Sequence, residues 1–508
     1  MIRLSKTRSH SLFLTSALAL TQLTAYTAAA PQCDEQLLSP VGGLSSFSGE
    51  YISTDGTRVI ASERFDQVYY GQSIGASIYH LVGGVWTEEA LLSIDAPGSG
   101  TQIEALSVEI QGSHAAMGYR LSSSEGFIAI FELGASGWAL TQTIETPASA
   151  TSGDFFGSSV FLHGNQLLAS RFIYQLGASG YEPFEVLFAP QASSTPRNDH
   201  WSVMDDDWIV IGDPGSNMLG VPISGRVHVL RRQFHGGVWE QELLEPTPNG
   251  FAQFGCSVAL EGDWIVAGAQ EYGEPGRVQA FQYDGSEWVH RQEITNPYPP
   301  TVGPDRFGTE LVLSNGRLAA SRLGATNFFE LVDGVWTHVG DAPGSSNGSV
   351  DMVGDTVIHG HFWGFQPAAP SVGTFFGADQ TPACAGTPNS TGSIATLELS
   401  GSARTSVAGL VARVTDAPAD TVGIFVYGGA VGSVLVGNGE LCIDPSSGIT
   451  RYPGIVQLDS NGAVNRVLDA GQLDAGTTGS SAVLQLWFRD QVGAGSDLSS
   501  AVSITLCD

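Results

Sequence analysis

The stretch of residues 253–269, QFGCSVALEGDWIVAGA, decides the fold predicted for this chain. It begins with a Phe-Gly pair, continues through a short apolar run and a tight turn, and ends in a second run that is apolar at nearly every position. A run of that second kind is typical of a strand buried on both faces. The same order recurs around Phe156-Gly157 and Phe307-Gly308, so the stretch is one copy of an internal repeat.

A tryptophan that follows a glycine by one to three residues gives the repeat its length. These tryptophans are Trp86, Trp138, Trp239, Trp288 and Trp336. Their separations are 52, 101, 49 and 48 residues, and the value of 101 corresponds to two periods with one tryptophan missing. Four strands of about six residues and four short connections fill such a period. The period therefore predicts one four-stranded unit per repeat.

Seven such units can be counted along the chain. They begin near Phe47, Ile103, Phe156, Trp201, Phe254, Phe307 and Ser349. A four-stranded unit repeated around an axis is a propeller blade. A row of separate β-sandwiches would need about 100 residues per module, twice the observed period. The sequence thus predicts an all-β protein with a seven-bladed β-propeller over residues 31–380.

The seventh unit lacks its tryptophan strand, and the chain carries a spare one near its beginning. Residues 33–40, CDEQLLSP, match residues 239–246, WEQELLEP, with Cys33 in the place of Trp239. We therefore expect the N-terminal strand to complete the last blade and close the ring. Since Cys384 directly follows that blade, we expect a disulfide between Cys33 and Cys384, and a second between Cys442 and Cys507. Cys256, inside a buried strand, would then keep a free thiol.

The Phe-Gly openings, the DWIVAGA strand and the Gly-x-Trp strand resemble bacterial FG-GAP repeats, which are related to the propeller of integrin α-subunits. The resemblance covers about residues 33–380, and it implies an extracellular recognition or adhesion protein that is not an enzyme. Many members of the family carry a calcium loop between the first two strands of a blade. Here those connections are short turns such as Asn315-Gly316, too small for a calcium cage. We therefore expect no integrin-like calcium sites. No residue pattern indicates another metal site or a cofactor, and we predict neither.

The 50-residue rhythm stops after Cys384. Residues 384–508 show alternating strands separated by turns such as Ser460-Asn461-Gly462, which predicts an antiparallel β-sandwich. This segment resembles a C-terminal β module found on secreted proteins of planctomycetes and related bacteria. The resemblance implies no activity.

Residues 1–30 are typical of a secretory signal peptide. Arg3, Lys6 and Arg8 precede a short apolar run, and Ala28-Ala29-Ala30 supplies small residues for cleavage. The remaining chain has no apolar run long enough to span a membrane. A net charge of −30, from 21 basic and 51 acidic residues, argues against nucleic acid and anionic lipid as partners. We expect a secreted or cell-surface protein, with residence in the periplasm as the alternative.

In every unit the second strand ends in a small residue, Gly or Ser. The residue that directly follows it occupies an equivalent position in all seven units. In chain order these residues are Glu63, Tyr119, Arg171, Asp213, Ala269, Arg322 and His361. In a propeller they would form a ring on one face, and loops on one face of a rigid scaffold commonly bind ligands. The six residues other than Ala269 are the predicted binding ring. The alternative is that such positions are polar only because strands exit into solvent.

Three further patterns bear on metal binding and catalysis. His359 and His361 share one face of a strand but have no evident third ligand for a metal. The triplet 205–207, Asp-Asp-Asp, is typical of a solvated turn. No catalytic triad can be derived from the order of the residues.

We predict a monomeric, non-catalytic protein that binds an extracellular protein or glycan through one propeller face. One alternative is a hydrolase or lyase that uses the central channel, in which case carboxyl groups with strongly shifted pKa values should converge in an axial pocket. The other is a purely structural surface component.

Overall fold

In the computed structural model, regular structure among the described residues consists of 39 β-strands and two short 3-10 helices, Pro445–Ser447 and Ala470–Gln472. The all-β prediction is confirmed. The described residues are 36–38, 47–64, 74–83, 85–94, 103–121, 125–150, 154, 156–187, 202–216, 223–232, 241–243, 252–270, 275–297, 305–343, 349–354, 356–360, 370–374, 380–401, 403, 408–473, 481–490 and 495–506. Within these ranges no helix is long and apolar enough to cross a membrane.

The first described strand, β1, covers Gln36–Leu37. It is followed by six four-stranded antiparallel sheets, each made of consecutive strands in meander order. Sheet 1 is β2 (Phe47–Thr54), β3 (Arg58–Arg64), β4 (Ile74–Val82) and β5 (Val85–Ile94), and sheet 2 is β6 (Ile103–Gln111), β7 (His114–Leu121), β8 (Gly126–Gly134) and β9 (Gly137–Glu145). Sheet 3 is β10 (Val160–His163), β11 (Gln166–Ala169), β12 (Phe172–Gly177) and β13 (Gly180–Val186), and sheet 4 is β14 (Ser202–Met204), β15 (Trp208–Asp213), β16 (Arg226–Arg231) and β17 (Gln241–Leu243). Sheet 5 is β18 (Val258–Glu261), β19 (Trp264–Ala269), β20 (Arg277–Tyr283) and β21 (Trp288–Thr295), and sheet 6 is β22 (Leu311–Ser314), β23 (Arg317–Arg322), β24 (Ala325–Val332) and β25 (Val335–Pro343).

The seventh sheet combines the two ends of this region. Its strands are β26 (Val350–Val353), β27 (Thr356–His359) and β28 (Ser371–Thr374), and β1 pairs with β28 as the fourth strand. Gln36 lies opposite Val372, and the N–H of Leu38 donates to the carbonyl oxygen of Pro370 at 2.8 Å. The prediction that the N-terminal strand completes the last unit is confirmed.

Each sheet packs against the next one in the chain, and the seventh packs against the first. The first strands contact one another in the order β2, β6, β10, β14, β18, β22 and β26, and β26 also contacts β2. A separate apolar core fills each of these junctions. The core between the seventh and first sheets contains Leu38 and Ile358 on one side and Ile52 and Tyr79 on the other.

The Phe-Gly turns lock neighbouring sheets together. The side chain of Phe254 is fully buried, and the N–H of Gly255, which has a φ of +85°, donates to the carbonyl oxygen of Gly268 at 2.8 Å. The same turn lies against sheet 4, where a Cβ on Gly212 would overlap the carbonyl oxygen of Gly255. A Cβ on Gly118 or Gly268 would likewise overlap the carbonyl oxygen of the next turn, so these three second strands require glycine where the turn covers them.

Glutamine side chains join the outer strands of neighbouring sheets in a repeated way. In each case the amide Nε2 donates to a backbone carbonyl of the next sheet, and the Oε1 accepts from the backbone N–H of the same residue. The pairs are Gln142 with Tyr181, Gln241 with Trp288, and Gln292 with Trp336, and the distances lie between 2.7 and 2.9 Å. A serine joins sheets 6 and 7 in a similar way. Oγ of Ser314, at the end of β22, accepts from the N–H of Gly354 in the turn after β26 at 2.9 Å.

The C-terminal module contains two larger sheets, a hairpin and one shared apolar core. The first sheet orders β29 (Gln380–Cys384), β39 (Ser496–Thr505), β38 (Ser481–Arg489), β32 (Val422–Gly428) and β35 (Thr450–Arg451), with β36 (Val456–Gln457) also paired to β32. The second orders β30 (Thr396–Gly401), β31 (Ala408–Thr415) and β37 (Val464–Asp469), and the hairpin is β33 (Val431–Val436) with β34 (Gly439–Ile443). Val411 and Val467 of the module contact the core between sheets 6 and 7.

The cysteine pairing differs from the prediction. Cys384 is bonded to Cys442, with their Cα atoms 6.1 Å apart, so neither the pair Cys33–Cys384 nor the pair Cys442–Cys507 forms. The reason is that Cys384 ends a strand that pairs with β39, which places it inside the C-terminal module next to β34. Cys33 and Cys507 lie outside the described residues. Cys256 is buried and forms no disulfide, as predicted.

Candidate functional site

Two members of the predicted binding ring are buried, which corrects the expectation that they face a ligand. The side chain of Tyr119 is 4 % exposed and stacks on Phe127 with ring centroids 5.4 Å apart. Asp213 is 3 % exposed, and its Oδ2 accepts from Nε of Arg226 at 3.2 Å. Ala269 is also buried. The Phe-Gly turn of the following sheet covers these strand ends, so they do not exit into solvent.

The two arginines of the predicted ring are held by neighbouring groups. Nε of Arg171 donates to Oδ1 of the buried Asp154 at 2.5 Å, and its Nη2 donates to Oδ2 of the same carboxylate at 3.2 Å. Nε of Arg322 donates to Oδ1 of Asn327 at 3.1 Å. Both side chains are partly exposed, so their role in binding stays a prediction, but each one also stabilises the fold.

The other two members of the predicted ring are Glu63 and His361. The backbone of Glu63 pairs with Gly75 in sheet 1, while His361 lies outside the described residues. His359, the other half of the predicted histidine pair, is buried at 3 % exposure near the hydroxyl of Thr326. The ring residues are therefore not brought together as one exposed surface.

A different group of polar residues converges where the first strands meet. Ser53 of β2, Glu109 of β6 and Asp351 of β26 each lie two residues before the tight turn that ends their strand. They occupy equivalent positions in sheets 1, 2 and 7, whose first strands are neighbours. We call these three residues the first-strand cluster.

Hydrogen bonds connect the cluster across two sheet junctions. The Oδ2 of Asp351 accepts from the N–H of Thr54 at 2.7 Å, and its Oδ1 accepts from the N–H of Met352 at 2.8 Å. The hydroxyl of Ser53 accepts from the N–H of Ile110 at 3.4 Å and hydrogen-bonds to both carboxyl groups. A serine hydroxyl carries a single proton, so it cannot donate to two carboxylates at the same time.

Burial favours the protonated form of both acids. Burial raises the pKa of Asp351 to about 6, although hydrogen bonds from Met352, Thr54 and Ser53 lower it. The pKa of Glu109 is raised well above its ordinary value, first by burial and then by the charge of Asp351. The cluster can therefore hold a proton at a pH where exposed carboxyl groups are ionised.

The equivalent positions of the other four sheets are apolar. They are Phe161, Val203, Ala259 and Val312, and each lies two residues before the corresponding turn. At this position of the first strand, polar residues thus occur only in sheets 7, 1 and 2. The apolar residues of the other four sheets lower the local polarity, which strengthens the electrostatic interactions of the cluster.

Sequence reasoning did not identify the first-strand cluster. A lone acidic residue in a short strand looks like a solvent-facing position, and only the register of the turns shows that Glu109 and Asp351 are equivalent. Aligning the seven first strands would have revealed acids at two of seven otherwise uncharged positions. Among the described residues, no group of three or more His, Cys, Asp or Glu side chains could hold a metal ion.

Comparison with known proteins does not identify the chain. No family model matches it, and no curated protein matches it either. The resemblance to FG-GAP repeats therefore stays a prediction.

Solved structures similar to this chain include β-propeller proteins. PorZ, a surface component of the type-IX secretion system of Porphyromonas gingivalis, is 11% identical with a TM-score of 0.42, and the match covers 92% of this chain and 61% of PorZ. The β-propeller domain of the Trilobed protease from Pyrococcus furiosus is 14% identical with a TM-score of 0.37, covering 62% and 91%. An exo-β-1,3-galactanase from Phanerochaete chrysosporium is 10% identical with a TM-score of 0.33, covering 92% and 98%. Similarity at this level does not indicate a function.

Proposed function

We propose that this chain is an exported, non-catalytic recognition protein, built as a seven-bladed β-propeller of the FG-GAP type followed by a β-sandwich. The support for the propeller is the cyclic order of the sheets. Each of the seven sheets packs on the next, and β26 of the last contacts β2 of the first. The last sheet is completed by β1, so the beginning and end of the region are joined by main-chain hydrogen bonds.

The main support for recognition is that polar side chains at sheet junctions are used to hold the frame. Gln292 binds the backbone of Trp336, Asp351 binds the backbone of Thr54, and Gln142 binds the backbone of Tyr181. Rigid β scaffolds of this kind commonly present binding loops. We propose that a protein or a glycan outside the cell binds these loops.

The proposed location follows from two observations. The N-terminal residues 1–30 have the composition of a signal peptide, and Cys384 and Cys442 form a disulfide, which persists in oxidising compartments. We propose a secreted or surface-attached monomer without a cofactor.

The test is to present the purified full chain to a glycan array and to a library of purified surface proteins. Recognition requires saturable binding of a ligand that mass spectrometry recovers unchanged after prolonged incubation. Absence of any saturable ligand would contradict the proposal, and conversion of the ligand into products would favour the second candidate below.

The second candidate is a hydrolase or lyase that uses the first-strand cluster. It is favoured by the convergence of Glu109 and Asp351 from the two first strands that flank β2, with one acid able to stay protonated while the other ionises. General acid–base chemistry needs such a pair. Screening against oligosaccharides should then show turnover that Glu109→Gln and Asp351→Asn abolish, while the exposed-site variant Asp207→Asn retains it.

A further inference from the structure

Two aspartates of the C-terminal module lie on one face of its larger sheet. Asp497 is opposite Phe488 in the pairing of β38 with β39, and Asp490 follows Phe488 by two residues. Since alternate residues of a strand point to the same face, Asp490 and Asp497 are diagonal neighbours there. Their charges interact, because Asp490 raises the pKa of Asp497.

Both aspartates are buried, and each has one oxygen without a partner. Asp490 is 3 % exposed and Asp497 is 0 % exposed. Within the described ranges, Oδ1 of Asp490 and Oδ2 of Asp497 have no hydrogen-bond partner. A buried carboxylate oxygen without a partner is costly, so such an atom points to a ligand or a proton.

The other two oxygens are bound by one segment that lies over both side chains. The hydroxyl of Thr387 donates to Oδ1 of Asp497 at 3.1 Å, and the N–H of Ser390 donates to Oδ2 of Asp490 at 2.9 Å. The N–H of Leu498 also donates to Oδ1 of Asp497, at 2.7 Å. Segment 387–390 therefore contacts both carboxylates and brings the Thr387 hydroxyl oxygen within 3.1 Å of Asp497.

No basic side chain compensates the two charges among the described residues. The groups that affect the pKa of Asp497 are its own burial, Leu498, Thr387 and Asp490, and none of them is a cation. The described salt bridges include neither aspartate. Two buried carboxylates without a counter-charge are unfavourable unless a cation or a shared proton neutralises them.

We propose that Asp490 and Asp497 bind a Ca²⁺ ion through their unpartnered oxygens, and that the ion fastens segment 387–390 to the larger sheet. An all-oxygen environment selects a hard cation, and calcium accepts irregular sets of carboxylate, hydroxyl, carbonyl and water oxygens, whereas Mg²⁺ requires near-ideal octahedral geometry. With only two carboxylates the affinity belongs to the range of extracellular modules, with a Kd of roughly 0.1–1 mM. The site lies outside the propeller and is independent of the recognition function.

The test uses the full chain, stripped with EDTA and dialysed into 150 mM salt, which suppresses nonspecific binding to an acidic surface. Calorimetric titration with CaCl₂ should show one saturable site assigned to this module, and about 10 mM CaCl₂ should raise the unfolding midpoint of the module by roughly 4–12 °C. MgCl₂ should give a smaller shift. Asp490→Asn and Asp497→Asn should each lose the binding, and the exposed control Asp420→Asn should keep it.

Three results would overturn the proposal. Wild-type protein that binds no Ca²⁺ at about 10 mM excludes the site whatever the variants do. Calcium binding that persists unchanged in both Asn variants places the ion elsewhere in the chain. A midpoint that rises on acidification but does not respond to Ca²⁺ shows that a shared proton neutralises the pair.

Discussion

The N–H of Thr54 donates a 2.7 Å hydrogen bond to Oδ2 of Asp351, a residue 297 positions later in the chain. Thr54 belongs to the first sheet and Asp351 to the seventh, so this bond joins the two ends of the repeat region. The pairing of β1 with β28 is a second connection at the same junction. A junction between sequence-distant sheets has the highest loop-closure cost, and these contacts offset it.

Removing the acceptor at this junction should weaken the whole repeat region. Asp351→Ala leaves the N–H groups of Thr54 and Met352 without their acceptor, and we expect a loss of about 1–3 kcal/mol in the free energy of unfolding at pH 5. Chemical denaturation followed by tryptophan fluorescence measures it. The exposed-site control Asp207→Ala should change stability by less than about 0.5 kcal/mol. Equal effects of the two variants would contradict the assigned role of the bond.

Stability should depend on pH through the same carboxyl group. The folded state raises the pKa of Asp351 from 3.8 to about 6, so the folded protein binds this proton more tightly than the unfolded chain. The resulting stability is fully present below about pH 4 and is lost as the pH rises to about 6, with a total of about 3 kcal/mol. Glu109, whose pKa is raised well above normal, extends the loss to higher pH.

Denaturation midpoints of the wild type and of Asp351→Asn between pH 5 and pH 8 measure this dependence. The Asn side chain does not ionise, so its variant should show a flatter profile. Repulsion within the acidic chain also decreases at low pH, but it affects both proteins alike. Parallel profiles would show that Asp351 does not titrate in the way described.

The arrangement of the sheets was more predictable from sequence than the site was. The match of residues 33–40 to 239–246 was enough to place β1 beside β28, because local strand patterns repeat from unit to unit. Tyr119 and Asp213 were misassigned because their burial depends on the Phe-Gly turn of another sheet. The pairing of Cys384 with Cys442 depends on the contact of β29 with β39, which are separated by more than 100 residues. No local pattern encodes such contacts.

The glutamine contacts between outer strands should contribute measurably to stability. Gln292→Ala removes both hydrogen bonds to the backbone of Trp336, and we expect a loss of about 1–2 kcal/mol. Gln292→Glu should not restore stability, because a carboxylate can accept from the N–H but cannot donate to the carbonyl. Arg291→Ala, at an exposed position of the same strand, is the matched control for urea denaturation. A Glu variant as stable as wild type would show that the donated bond contributes nothing.

The close approach of the Phe-Gly turns makes some glycines irreplaceable. Gly212→Ala would drive a Cβ into the backbone of Gly255, so we expect a loss of more than about 3 kcal/mol or failure to fold. Gly134 is a matched control at a strand end, since the nearest atom to its Cβ position is the Gly137 oxygen at 3.9 Å. Gly134→Ala should be neutral or stabilising by up to about 1 kcal/mol. Similar midpoints for the two variants in thermal unfolding would show that the sheets can separate without cost.

The disulfide between Cys384 and Cys442 should stabilise the C-terminal module specifically. It closes a segment of 58 residues, for which the chain-entropy model gives about 4 kcal/mol. Peptide mapping without reduction should recover Cys384 linked to Cys442, and the double variant Cys384→Ala/Cys442→Ala should unfold its module at lower denaturant concentration. Reductant should shift the wild-type midpoint towards that of the double variant. A peptide joining Cys384 to Cys33 would instead place Cys384 at the junction of the seventh sheet, against the pairing of β29 with β39.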